Sequence, residues 1–291
     1  ATTAASTAKP ADAATAGADV LKYMPQECEE GRVFVSLNKL ITDGTGLESL
    51  FAKAVAKEKD GKKAEDVVKA LKDGGIDPLK DARDLAVCAN KDDKKVVVAL
   101  SMETKADKPA AVFAKAMEAG SGKAPKVEEK DGVTFVQGDE KDGIMAFVGK
   151  NIMLVGEDRA LLETVAKGAE GGSEFGEAKS HVIWAKMTGK EAAEVMMKEA
   201  GDDFDLKVAM KAGADAAKMK EQFEKSLPEL DKMAEQMPFM KPLLPVAKNG
   251  KIEVAGEQLT FATKFPKAAI GSFFTEISKT DPEQLMKGMR F

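Results

Sequence analysis

Alternation of apolar and polar positions is clearest in residues 125–156, where short runs rich in β-branched and aromatic residues are cut by Asp131-Gly132, Asp142-Gly143 and Gly149-Lys150-Asn151. Those residues supply the positive φ of tight hairpin turns, so the stretch reads as a small antiparallel meander. Before it, residues 32–38 read as a strand, and helical spacing follows at about 46–58 and 62–73, the first with Leu47, Leu50, Phe51, Ala54 and Val55 on one face. Gly74-Gly75 ends the second helix. Residues 84–88 and 95–102 form two strands joined through Asp92-Asp93-Lys94, and Asp107 caps a helix to about Ala119 with Pro109 in its first turn. A helix at about 158–168 closes the first half, and the Gly-rich run 168–176 marks a boundary.

The second half replays this order. Residues 180–187 read as a strand, 189–199 as a helix and 205–210 as a strand in which Lys207 and Lys211 alternate with Leu206, Val208 and Met210, which implies one wetted sheet face. Leu206, Val208 and Met210 fall 108 residues after Val98, Leu100 and Met102, and Ala214-Asp215 fall at the same offset from Ala106-Asp107. Asn249-Gly250 and Gly256 fall 107 residues after Asp142-Gly143 and Gly149, and a hairpin of 252–254 with 259–261 then leads into a helix. A near-constant offset over separated motifs indicates an internal duplication. The expected fold is α+β: two related modules, each a mostly antiparallel sheet with helices packed on one face. The expected division is a tether over 1–18, a first module over 19–170 with a helical insert at 46–80 (the following strand being part of the extra material), and a second module over 178–291. Whether the two sheets join is left open.

Composition narrows the function classes. Of 291 residues 44% are hydrophobic, enough for a core, but only 5% are aromatic, so Ala, Val, Leu, Met and Phe must fill it. Forty-nine acids against 44 bases, interspersed, give a net charge of −5 and disfavour nucleic acid, which needs a concentrated basic face. No run approaches the roughly 20 apolar residues of a transmembrane span. Residues 1–18 are almost entirely Ala, Thr, Ser, Gly and Asp around Lys9-Pro10, too polar to fold alone, and read as the tether of an exported protein, a lipid tether included.

Candidate chemistry is sparse. If the strands holding Cys88 and following Cys28 are antiparallel neighbours, the two cysteines come within disulfide range; otherwise they are two unrelated small residues. With a single distant histidine they make no zinc set. His181 stands three residues before Trp184, on the opposite face of a strand, with no nucleophile pattern beside it. Acids cluster at Asp92-Asp93, Asp139-Glu140 and Asp202-Asp203-Asp205; the last has the oxygens for a calcium ion but lacks the register and closing glutamate of a calcium loop, so it reads as a solvated turn. No phosphate-cradling Gly-rich loop opens a helix. The expectation is no enzyme, no cofactor and no metal.

Methionine is the exception. Ten of 15 lie after residue 180, and 227–246 holds Met233, Met237, Phe239, Met240, Leu243 and Leu244, broken by Pro228, Pro238, Pro242 and Pro245. Such a segment is a helix of two or three turns followed by an irregular apolar crossover. Its thioethers suit an adaptable contact with a partner or an apolar ligand; the bland alternative is a lid over its own sheet.

Pro25, then 33–37, then Gly75-Ile-Asp-Pro-Leu79 with Asp84-Leu-Ala-Val87, then Gly143-Ile-Met-Ala-Phe-Val-Gly-Lys-Asn-Ile-Met-Leu-Val-Gly156 resemble a loose family of bacterial secreted proteins and lipoproteins of unknown function built from duplicated α+β modules. The resemblance covers about 19–275. It implies export and carries no catalytic residues; the second copy keeps only Gly256 of the closing phrase. The expected function is non-enzymatic binding or assembly in the cell envelope, at the periplasm or cell surface. Two alternatives stand beside it: a carrier of an apolar ligand or lipid under 227–246, and a structural subunit pairing through strand edges.

Overall fold

The alternating runs build one antiparallel sheet of twelve strands in the computed structural model, which describes residues 20–25, 28–40, 61–91, 95–139, 143–168, 175–189 and 192–279. The expected tether over 1–18, the helix at 46–58, the turn Asp92-Asp93-Lys94 and most of the Gly-rich run lie outside the described residues. The strands are β1 (Gly31–Ser36), β2 (Ala82–Ala89), β3 (Val97–Met102), β4 (Lys126–Lys130), β5 (Val133–Gln137), β6 (Ile144–Val148), β7 (Ile152–Gly156), β8 (Ile183–Met187), β9 (Ala193–Ala200), β10 (Asp203–Lys211), β11 (Lys251–Ala255) and β12 (Gln258–Pro266). Eight helices are described: α1 (Leu37–Leu40), α2 (Gly61–Asp73), α3 (Pro109–Ser121), α4 (Arg159–Val165), α5 (Ala216–Ser226), α6 (Glu229–Gln236), α7 (Leu244–Lys248) and α8 (Lys267–Lys279).

The strand order is β11-β12-β10-β9-β8-β1-β2-β3-β7-β6-β5-β4. Its two halves have the same connectivity, because β1-β2-β3-β7-β6 recurs as β8-β9-β10-β12-β11 running the other way. The registers agree as well. Val98 faces Val155 and Leu100 faces Met153 across β3 and β7, while Leu206 faces Thr263 and Val208 faces Phe261 across β10 and β12, every one of these positions shifted by 108. The modules meet where β1 pairs with β8, with Phe34 opposite Trp184. The question of whether the sheets join is answered: they form one. The hairpin β4–β5 is extra material at one edge, and the charged strand β4 is a poor template for further pairing.

Directly opposed residues of antiparallel strands share a face. One row, Leu100–Leu85–Val35–Ile183–Met197–Leu206–Thr263, runs across both modules. This face carries α3, whose Ala110, Phe113 and Met117 pack on Met102, Val136 and Phe147, with the Phe113 and Phe147 rings 5.3 Å apart. Behind α3, α2 packs through Leu71 and Val67 on Val112 and Ala116. Gly120 admits Val67 there, since a Cβ would sit 2.7 Å from it. In the second module the same face takes α5, α7 and α8: Ile270 packs on Met197 and Phe204, and the Phe223 and Phe261 rings lie 5.9 Å apart.

The opposite face of the first module is also covered. Leu162 and Val165 of α4 and the segment Val20–Met24 close over Phe34, Ala86, Ala99, Phe135, Ala146 and Leu154. Each large apolar side chain so buried stabilises by about 2 kcal/mol. Asp158 caps α4 by accepting from the Leu161 N–H at 3.0 Å, and the Arg159 guanidinium lies 3.6 Å over the Phe135 ring.

Three expectations change. Residues 189–199 are not a helix: the Ala-, Glu- and Met-rich run favours one locally, but β9 pairs with both β8 and β10, and that pairing outweighs propensity. Once β9 is a strand, β2 becomes its counterpart, so the strand at 82–89 is not part of an insert. Asp107 does not cap α3, because Pro109 at its first position leaves Lys108 as the capping residue, and the Asp107 carboxylate bonds Lys150 Nζ at 2.6 Å. That bond and the lysine charge hold its carboxyl below the usual range.

Candidate functional site

The methionine- and proline-rich segment becomes α6, a 3-10 turn over Pro238–Leu243 and α7, three short pieces because Pro238, Pro242 and Pro245 remove backbone donors. Lys248 of α7 ties back to Asp231 of α6 through bonds of 2.6 Å, and Thr263 of β12 donates to the Val246 carbonyl at 2.9 Å. Phe239 is buried, with its ring edge on Phe273 of α8. Met237, Met240, Leu243 and Leu244 are half-buried, and Met233 lies on α6. The segment therefore covers α8 with part of its apolar surface and keeps the rest at the protein surface.

Cys28 and Cys88 are joined by a disulfide with their Cα atoms 5.3 Å apart. Arg32 faces Cys88 across β1 and β2, which brings the residues just before β1 to the end of β2. The Glu30 N–H donates to the Ala89 carbonyl at 3.1 Å and the Glu29 N–H to Asn90 Oδ1 at 2.8 Å, so the bond lies in a place already fixed by pairing. Both sulfurs sit in the core.

His181 is 3% exposed and precedes β8. Its Nδ1 lies 2.6 Å from the Glu177 carbonyl, which can only accept, so Nδ1 carries the proton. Its Nε2 has no hydrogen-bond partner. Trp184, 1% exposed, lies in the core with its ring centroid 5.9 Å from that of Phe175. His181 stands before the first residue of β8, so the strand alternation expected to set it opposite Trp184 does not apply to it.

Two features escape a reading of the sequence. One is Asp84, 3% exposed, whose carboxylate accepts from Ser36 Oγ at 2.8 Å and Ser101 Oγ at 3.3 Å. These three residues face one another across β1, β2 and β3, so the cluster pins the strands. Only the pairing reveals it, since the members are 48 and 17 residues apart. The other is a hollow of about 600 Å³ on the second module, on the face away from α5 and α8, whose wall includes His181, Met196, Lys198, Asp205, Lys207, Lys251 and Lys264. Asp205 of the acidic run stands there on β10, opposite Lys198 and Lys264. Among the described residues no group of three or more His, Cys, Asp or Glu is placed to hold a metal ion, and no helix is long and apolar enough to cross a membrane.

No protein-family description matches the chain, and no curated protein is similar to it in sequence. Solved structures of TP0453, a Treponema protein, share the fold. Its crystal form III has a TM-score of 0.53 at 9% identity over 90% of this chain and 98% of that one. Crystal form I has a TM-score of 0.50 at 8% identity over 89% and 98%. At that identity the likeness is of architecture alone.

Proposed function

We propose that this chain is a non-enzymatic binding or assembly protein of the bacterial cell envelope, held outside the cytoplasm and tethered through residues 1–18. The observation that carries the reading is the Cys28–Cys88 disulfide, closed within a core where both cysteines are at most 2% exposed. Reducing compartments keep such thiols apart, and oxidising ones let the bond persist. The buried polar groups support the non-enzymatic half. Asp84 is engaged by two serines and His181 by a backbone carbonyl, both holding strands or their approaches in place. The agreement in register between the halves also supports descent of the two modules from one duplicated unit, a scaffold reused for surface and not for a reaction.

Fractionation of the producing bacterium tests this. The reading expects the protein in the membrane or periplasmic fraction, with both cysteines protected from alkylation until reductant is added. A cytosolic pool with alkylatable thiols overturns it.

A second reading has its own observation. Half-buried Met237, Met240, Leu243 and Leu244 leave apolar surface beside α8, which suits a carrier of an apolar ligand or lipid. Native mass spectrometry of the purified protein should then show a co-purified lipid, lost when Met240 and Leu243 become Gln; a ligand-free mass counts against it.

A further inference from the structure

The two modules use equivalent sheet positions in opposite ways. On the face covered by α4 in the first module, Cys88, Val97, Ala99 and Ala146 are fully buried. Following the registers outward from the seam, their counterparts in the second module are Lys198, Asp205, Lys207 and Lys251. All four are exposed, and no described helix covers them. A position that is dry core in one copy is a charged hollow in the other.

The hollow concentrates one sign of charge. Lys198 and Lys264 each stand directly opposite Asp205, while Lys207 and Lys251 each stand opposite Ala262. Neighbouring strands are about 4.8 Å apart, so the four lysines arise from a patch about 15 Å across and one pleat repeat deep. Asp205 is the only acid in the wall, and among the described residues none of the four ammonium groups has an ion-pair partner. Elsewhere lysines are commonly paired, as Lys130 is with Glu163 and Lys248 with Asp231. In a protein of net charge −5, four cations against one anion are a local reversal. Four lysines around one aspartate repel one another more than that single acid offsets, and an anion of two or more charges relieves the repulsion. His181, almost fully buried, forms part of the same wall with its Nε2 unsatisfied.

We propose that this hollow binds a phosphate-type anion through Lys198, Lys207, Lys251 and Lys264. The ligand class is a phosphate ester, free in solution or presented as a lipid headgroup. The alternative is a solvated sheet face that binds nothing.

His181 is the only histidine, so its ring protons give one unambiguous pair of NMR signals against the wall of the hollow. Titration with inorganic pyrophosphate at constant ionic strength should shift them saturably. The K198Q/K207Q/K251Q/K264Q variant should weaken the effect at least about tenfold, because it removes the charge-assisted bonds. All four side chains are exposed, so the variant should fold, and unchanged Trp184 emission verifies it. A parallel arm sediments the protein with phosphatidylcholine vesicles containing or lacking phosphatidylglycerol. Lysine-dependent pyrophosphate binding without vesicle binding assigns a soluble phosphate ester, and lysine-dependent binding only to the anionic vesicles assigns a headgroup. Shifts that stay linear in pyrophosphate, or match between wild type and variant, together with no lysine-dependent sedimentation, overturn the proposal.

Discussion

Reduction of the Cys28–Cys88 bond should lower the stability of the whole sheet, by an amount that follows from chain length. The bond joins residues 60 apart, and closing a loop of that size in the unfolded chain corresponds to about 4 kcal/mol by loop-closure entropy. The native side should change little, because backbone bonds of 3.1 Å at Glu30 and 2.8 Å at Glu29 hold the same approach without the sulfurs. The C28A/C88A variant loses the same cross-link and in addition two sulfur atoms from sites 2% and 0% exposed, so it should be less stable than the reduced wild type. Urea unfolding followed by Trp184 emission is a suitable assay, since the only tryptophan is buried in the cluster that contains the disulfide. With a slope of about 3 kcal/mol per molar urea, suited to a chain of this size, the midpoint should fall by more than about 1 M on reduction. The slope itself should rise, because an unlinked chain exposes more surface. A midpoint that moves by less than about 0.2 M would refute the argument and show that the unfolded chain is already compact around this loop.

Three further outcomes follow from single sites. Phe34→Ala, opposite Trp184 at the seam and 3% exposed, should cost about 3–5 kcal/mol and shift Trp184 emission to the red; a loss below about 1 kcal/mol in urea unfolding would mean that the modules do not depend on their junction. Gly250→Ala places a Cβ 1.9 Å from the Phe261 ring and should cost about 1–3 kcal/mol, and the penalty should shrink in a Phe261→Leu background, as a double-mutant cycle can measure. The hydrogen bond from Lys130, then that from Arg159, holds the Glu163 carboxyl below its ordinary value. A depressed folded pKa stabilises above the unfolded value and is lost as pH falls through the folded one. Thermal unfolding should therefore separate wild type from Glu163→Gln at pH 7 and bring them together in acid below the usual glutamate range; a gap that persists there would mean that glutamine disrupts packing instead.

What the sequence shows well is whatever is local. The turns at Asp131-Gly132 and Gly149 take positive φ because few other residues can, and the strands between them follow. The start of α4 is legible from Asp158, and α2 ends where Gly74-Gly75 says it should. What fails is whatever depends on partners distant in sequence. β9 has a helix former's composition and becomes a strand because two neighbours complete its hydrogen bonds. Asp84 looks like a strand-start residue until Ser36 and Ser101 are brought beside it. Of the lysine hollow, only the alternation of Lys207 in β10 was visible; its companions come from β9, β11 and β12, and only the register puts them together.

The asymmetry of the two modules separates scaffold from site. Connectivity and register recur, so the strand framework tolerates either a dry or a wet face. Covering a face takes specific material: in the first module it is α4 and the segment Val20–Met24, with the Cys28–Cys88 bond fastening the chain that follows that segment to β2. The second module has α8 where the first has α4 in order along the chain, but α8 packs on the other face, against Met197 and Phe204. With that helix diverted, the strands it leaves bare cannot carry an apolar row without exposing it to water, and the row changes from Ala86 and Ala99 to Met196 and Lys207. Solubility alone asks only that such a row be polar; mixed charge, as in the acid-paired lysines elsewhere on this surface, would satisfy it. Asp203 and Glu253 lie next along the same face, but within the hollow four lysines stand around a single aspartate, and that local excess of one sign gives the hollow a preference among ligands that the covered face of the first module does not have.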